Sequence, residues 1–169
     1  MSAAAAVPLA EYLATSYRPD REYLEGLILE RNLGEFDHSR LQFLIAVALG
    51  ASEQALDAYV LPEQRVQVRA TRFRIPDVCL IRRQDREQII RQAPLLCVEI
   101  LSPEDTMSST QQRIDDYLAM GVPVVWLVDP KSRRGFVYSE TGMTPARDGL
   151  LQAVHLNFTL DLTPLFAQL

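Results

Sequence analysis

The sequence has 169 residues, 48% hydrophobic and 23% charged, with a formal net charge of −5. This is ordinary globular usage and excludes a disordered chain. The length suits a single domain, 1–169, able to bury roughly 70% of its unfolded surface without a metal or disulfide staple.

The longest apolar stretches, such as Leu41 to Leu49, fall far short of the ~18 residues a membrane span requires. The alanine run Ala3 to Ala6 lacks a basic flank and soon meets Pro8, so no secretory signal is expected. Two cysteines, Cys79 and Cys97, are too few for a disulfide framework. The expected compartment is the cytoplasm, with both thiols reduced.

Pro8 opens a helical pattern with Leu9, Tyr12, Leu13 and Tyr17 on one face. Residues 21–31 read as a strand bent or paired at Glu25-Gly26. Asp37 is the expected N-cap of a helix over about 38–56, with Leu41, Leu44, Ile45, Ala48 and Leu49 as its apolar stripe. Residues 57–82 read as strands. Val60, Val66, Val68 and Phe73 alternate with polar neighbours, while Ile75 to Ile81 is more continuously apolar, as in a strand covered on both faces. Gln84 to Arg91 is expected to be a short helix. Leu95 to Leu101 is a second buried strand, ended by Ser102-Pro103.

A helix over about 106–120 follows, with Ile114, Tyr117 and Leu118 inward and Gly121 as its stop. Val122 to Val128 is a third apolar strand, closed by Asp129-Pro130. Phe136 to Tyr138 and Ala153 to Phe158 are expected edge strands, and Thr163 to Gln168 a terminal turn or short helix. Strand, helix and strand in this order predict an α/β (α+β) fold, with a right-handed crossover in a mixed β-sheet flanked by helices.

Charge is unevenly spread. Residues 65–91 hold eight arginines against Asp77, Asp85 and Glu87. Such a stretch could meet a phosphate backbone, or could be a solvated surface. Of the 17 basic residues 16 are arginine, so chemistry that needs a lysine has only Lys131.

Two carboxylates interrupt the apolar strands: Asp77 and, about twenty positions later, Glu99. Burying a carboxylate is costly unless it is paired, hydrogen-bonded or metal-bound. Either acid alone reads as a backbone cap or an arginine partner. Two in adjacent core strands point to a metal site, and an incomplete shell of oxygen ligands suits Mg²⁺ or Mn²⁺. Cys79 and Cys97 flank these acids at two residues' distance, on the same strand face. A soft-metal reading is open to them, but buried small hydrophobes is the better one. Trp126 reads as packing and His155 as structural. The sequence has no Gly-rich phosphate loop, no Gly-x-Ser-x-Gly elbow and no CxxC pair.

These residues resemble a family. Pro76-Asp77-Val78 followed by Val98-Glu99-Ile100-Leu101-Ser102-Pro103 is similar to the acidic motifs of the PD-(D/E)XK nuclease superfamily. The resemblance is closer to one branch, the bacterial "putative restriction endonuclease" family common in cyanobacteria. Glu22-Tyr23-Leu24-Glu25-Gly26 resembles its N-terminal acidic-Gly hairpin, and His38 falls where the family has a histidine at the start of a long helix. Tyr117, Gly121-Val122, Trp126 and Asp129-Pro130 resemble its C-terminal block. The order and spacing hold over about residues 20–140.

The resemblance implies a restriction-endonuclease-like fold and a divalent metal held by Asp77 and Glu99, with the Ile100 carbonyl as a third ligand. It implies Glu22 and His38 in the same cleft, and hydrolysis of DNA phosphodiester bonds. One departure matters. The superfamily's lysine belongs two residues after the second acid, where this chain has Leu101, and relatives move it to the following helix, at the position held here by Arg113. Arginine stays protonated and cannot act as a general base, but it can orient a phosphate or stabilise a developing oxyanion. The alternative is a catalytically degenerate binding or scaffold protein on the same fold. A homodimer is compatible with either reading, because late edge strands can pair between chains.

Overall fold

The computed structural model describes residues 6–31 and 34–169, so Ala3 to Ala5 of the alanine run lie outside it. The three apolar segments become neighbouring strands: β6 (Val78–Arg82), β7 (Leu96–Ile100) and β8 (Val125–Asp129). They form the middle of a six-stranded mixed sheet. β7 and β8 pair in parallel and are joined by α3 (Met107–Met120), the crossover helix that a parallel pair requires. β3 (Ala58–Pro62) pairs with β6 at one edge. β9 (Arg134–Ser139) and β10 (Gly142–Pro145) extend the other.

Alternation explains why these strands are apolar throughout. Val78, Leu80, Leu96, Val98, Ile100, Trp126 and Val128 face one layer of the core, with Leu41, Leu44, Ile45 and Leu49 of α2 (Phe36–Gly50). Cys79, Ile81, Cys97, Val125 and Leu127 face the other, with Ile114 and Tyr117 of α3. Each central strand is therefore covered on both sides. Burial alone pushes the Cys79 thiol up to about 12, and burial also raises Cys97; both are free cysteines packed in the core.

A second, four-stranded sheet carries β1 (Arg21–Leu24), β2 (Leu27–Glu30), β4 (Val66–Arg69) and β5 (Arg72–Arg74). β1 and β2 are a hairpin paired at Glu25-Gly26, whose φ angles of 45° and 97° are the left-handed values a two-residue turn demands. A Cβ on Gly26 would stand 2.8 Å from that of Ala6, a second reason for glycine there. Tyr12, from α1 (Leu9–Ala14), packs with Tyr23 and Phe73 beneath this sheet. α1 is shorter than expected: Leu13 is exposed and Tyr17 lies beyond the helix end.

Other sequence expectations need correction. α2 starts after Glu35, not Asp37, and ends at Gly50, because turns fill 51–57 where the apolar stripe has run out. Gln84 to Arg91 is not an α-helix. A 3-10 turn, Arg83–Asp85, precedes extended chain in which Ile90, fully buried, bridges to Val66. Two adjacent isoleucines, Ile89 and Ile90, at the end of a charged segment supply no helical face. β9 is not an edge strand, since β10 covers it; β10 is exposed along its whole length and gives no alternation to read. Ala153 to Phe158 is not one strand: β11 (Leu150–Ala153) and β12 (Phe158–Asp161) form a separate hairpin through a 3-10 turn, Val154–Leu156, ended by Asn157 at φ 50°. His155 lies in that turn, its Nε2 2.9 Å from the Leu95 carbonyl. Trp126 is buried, and its indole N–H donates to the Gln152 carbonyl. α4 (Thr163–Phe166) is the short terminal helix. Among the described residues no helix is long and apolar enough to cross a membrane.

The arginine-rich stretch is largely consumed by internal partners. Arg72 and Arg74 pair with Glu25, Glu22 and Asp116, Arg82 with Asp85, Arg83 with Asp57 and Arg91 with Glu87, while Arg65 lies over the Tyr12 ring.

Candidate active site

The register of β6 and β7 decides where the two acids meet. Val78 faces Val98, Cys79 faces Cys97 and Leu80 faces Leu96. The next step outward sets Asp77, immediately before β6, opposite Glu99. Both are buried, at 1% and 3% exposure. They line a cleft of about 470 Å³ between the β1–β2 hairpin, the start of α2 and the start of α3. Glu22, His38, Ile100 and Arg113 line it too, so every site residue expected from the sequence reaches one place.

Their partners are specific. One Asp77 oxygen accepts from the Ile100 amide at 2.7 Å and lies 3.4 Å from His38 Nε2. The other accepts from Arg31 Nη2 at 2.5 Å. Gln42, one turn after His38 on α2, donates to the Asp77 carbonyl. Glu99 accepts a 2.6 Å hydrogen bond from the Tyr117 hydroxyl and lies 2.9 Å from Arg113 Nε. Arg113 Nη2 donates to Asp105, which also caps the Ser102 amide. Glu22 accepts from Arg74 Nη1 at 2.6 Å and from the Ile75 amide at 3.2 Å. Ile100 therefore contacts Asp77 through its amide. Lys131 is exposed in the turn after β8, outside the cleft.

The electrostatics split the pair. Burial pushes Glu99 up to about 7. Arg113 and Tyr117 oppose the rise, while Asp77 and Glu22 add to it. Burial would raise Asp77 as well, but His38, Arg31 and the Ile100 amide hold it below its ordinary value. His38 is raised: burial draws the imidazole down, and Asp77 more than reverses that. Its Nδ1 is buried with no hydrogen-bond partner.

Among the described residues no three His, Cys, Asp or Glu side chains converge as a metal-binding group. Two hard carboxylates do suit Mg²⁺ or Mn²⁺, which keep several waters and take one or two protein carboxylates. Asp77 and Glu99 are both buried and line one cleft, where a carboxylate needs a partner for its charge. The donors present therefore fit such an ion.

Sequence reasoning missed Arg31, Gln42, Arg74, Asp105 and Asp116. Arg74 is 2% exposed and joins Glu22 to Asp116 on α3. Its signal was faint: Arg72 and Arg74 share the strand face opposite Phe73, and Asp116 stands next to inward-facing Tyr117.

A family model, Uma2, described as "Putative restriction endonuclease", matches residues 9–167. Among curated proteins, none matches the chain. A crystal structure of "a putative nuclease belonging to DUF820" from Anabaena variabilis is similar in fold, with a TM-score of 0.84 at 24% identity, covering 95% of this chain and 98% of that one. A cryo-EM structure of a DrdV–DNA complex matches at a TM-score of 0.43 and 16% identity, over 75% of this chain and 11% of that one.

Proposed function

The chain belongs to the Uma2 family of restriction-endonuclease relatives, and on that premise we propose that its cleft hydrolyses DNA phosphodiester bonds with Mg²⁺ or Mn²⁺ held by Asp77 and Glu99. The observation that carries this reading is the pair of buried acids set opposite each other, one before β6 and one near the end of the antiparallel β7, and facing one cleft. Bound there, the ion would lower the pKa of a water and neutralise charge on a phosphate.

The chain's own residues have distinct parts. The Ile100 carbonyl is the third donor in this proposal. Arg113 cannot accept a proton; held between Glu99 and Asp105, it steadies charge on the phosphate. His38 lines the cleft with Nε2 3.4 Å from Asp77, and when protonated it adds positive charge beside that carboxylate. Glu22 is fixed by Arg74 and adds negative potential at the acids. A homodimer would bring two such clefts to one duplex.

The test is melting in EDTA, Mg²⁺ and Mn²⁺, paired with plasmid cleavage, for the parent and Asp77→Ala. A metal-dependent rise in Tm and a cleavage activity, both lost in the variant, are expected. An Asp77→Ala protein that cleaves as well as the parent refutes the assignment.

One observation favours a second reading, a binding protein that kept the fold without catalysis: among the described residues no lysine lines the cleft. Arg113→Lys separates the two. If Arg113 already serves electrostatically, the substitution leaves cleavage equal or lower; gain of cleavage from an inactive parent identifies the degenerate form.

A further inference from the structure

Asp77 already carries a cation. Arg31 Nη2 sits 2.5 Å from the Asp77 oxygen that His38 and Ile100 leave free, which is the oxygen a metal ion would need. A guanidinium and a divalent cation cannot share one carboxylate oxygen at close range without strong repulsion. Without a counter-cation, Asp77 at 1% exposure would be a costly buried charge.

Arg31 is also placed to leave. It follows β2, the edge strand of its sheet, three of whose four residues are exposed. Its Nη1 is 3.6 Å from Glu63, a half-exposed carboxylate that offers the displaced guanidinium a second acceptor. Arg74, by contrast, is 2% exposed and fixed by two acids.

We propose that Arg31 is the built-in counter-cation of Asp77, that the metal must displace it toward Glu63, and that Arg31 therefore sets the metal affinity of the site. This rests on Asp77 being a metal ligand. A merely structural arginine would have the opposite effect, since its loss would loosen Asp77 and weaken the metal.

Calorimetric titration with Mn²⁺ of the parent, Arg31→Gln and Arg31→Lys tests the sign. The lost competition corresponds to a charged hydrogen bond, so Arg31→Gln should bind about tenfold tighter than the parent. Arg31→Lys, which keeps the charge, should fall between them. A parent that binds Mn²⁺ while Arg31→Gln binds no tighter overturns the inference and leaves the metal reading intact. No binding by any of the three overturns both. Should Arg31→Gln fail to fold, the parent suffices: the Arg31 Nε–Hε NMR signal, assigned with Arg31→Lys, must move on saturation with diamagnetic Mg²⁺. A signal that stays in place at saturation overturns the inference.

Discussion

Arg74→Met tests the ionic bridge beneath the site. Arg74 is 2% exposed and bonds Glu22 at 2.6 Å and Asp116 at 2.8 Å, tying the β1–β2 hairpin to α3. Methionine fills much of the same volume and removes the charge. Glu22 then keeps only the Ile75 amide, whereas Asp116 retains Arg72 at 2.7 Å. Removing one partner of a buried pair costs ~3–5 kcal/mol, and the remaining partners place this case near the lower end, about 3 kcal/mol. For a chain of this size that is a fall in Tm of roughly 6–12 °C. Urea unfolding should show a lower midpoint with an unchanged slope, the mark of lost stability without a change in the surface exposed. Adding Glu22→Gln removes the stranded charge, so the double variant should cost less than the sum of the two singles. An Arg74→Met protein within about 1 kcal/mol of the parent, or a strictly additive double variant, would refute the reasoning.

Two further outcomes are expected. Glu99 is pushed up to about 7, so between the ordinary carboxylate value of 4.5 and about 7 the folded state binds more protons than the unfolded one. Metal-free stability should therefore fall as pH rises through that window, and Glu99→Gln should flatten the profile of Tm measured in EDTA. Gly121 ends α3 at φ 101°, and a Cβ there would meet only Ala93 at 3.8 Å, so Gly121→Ala should lose about 1 kcal/mol through backbone strain alone. Equal melting of the two proteins would count against that account.

What could be read from the sequence follows from contrast. Asp77 and Glu99 stood out because their neighbours are apolar, and the same apolarity marked β6, β7 and β8 as doubly covered strands. Arg74 and Arg31 had no such background. In Arg72-Phe73-Arg74 the charges alternate with an aromatic as on any half-exposed strand, and only the arrival of α3 with Asp116 turns their face inward. Arg31 follows an exposed edge strand, and its partner lies 46 positions away. The basic stretch stayed ambiguous for the same reason, because the acids that meet Arg72, Arg74 and Arg83 are Glu22, Glu25, Asp57 and Asp116, outside the window in which its charge was counted. β10 and the β11–β12 hairpin were lost because exposed or interrupted strands carry little alternation.

The two cysteines face each other across β6 and β7, two residues inward from the acids, and neither touches solvent. A thiol reagent can reach them only when this part of the sheet parts from its covering helix. The rate at which such a reagent labels the folded protein is then a clock for the opening of the platform on which Asp77 and Glu99 stand. A ligand that clamps those carboxylates together should slow the clock, so occupancy of the cleft can be followed without any turnover.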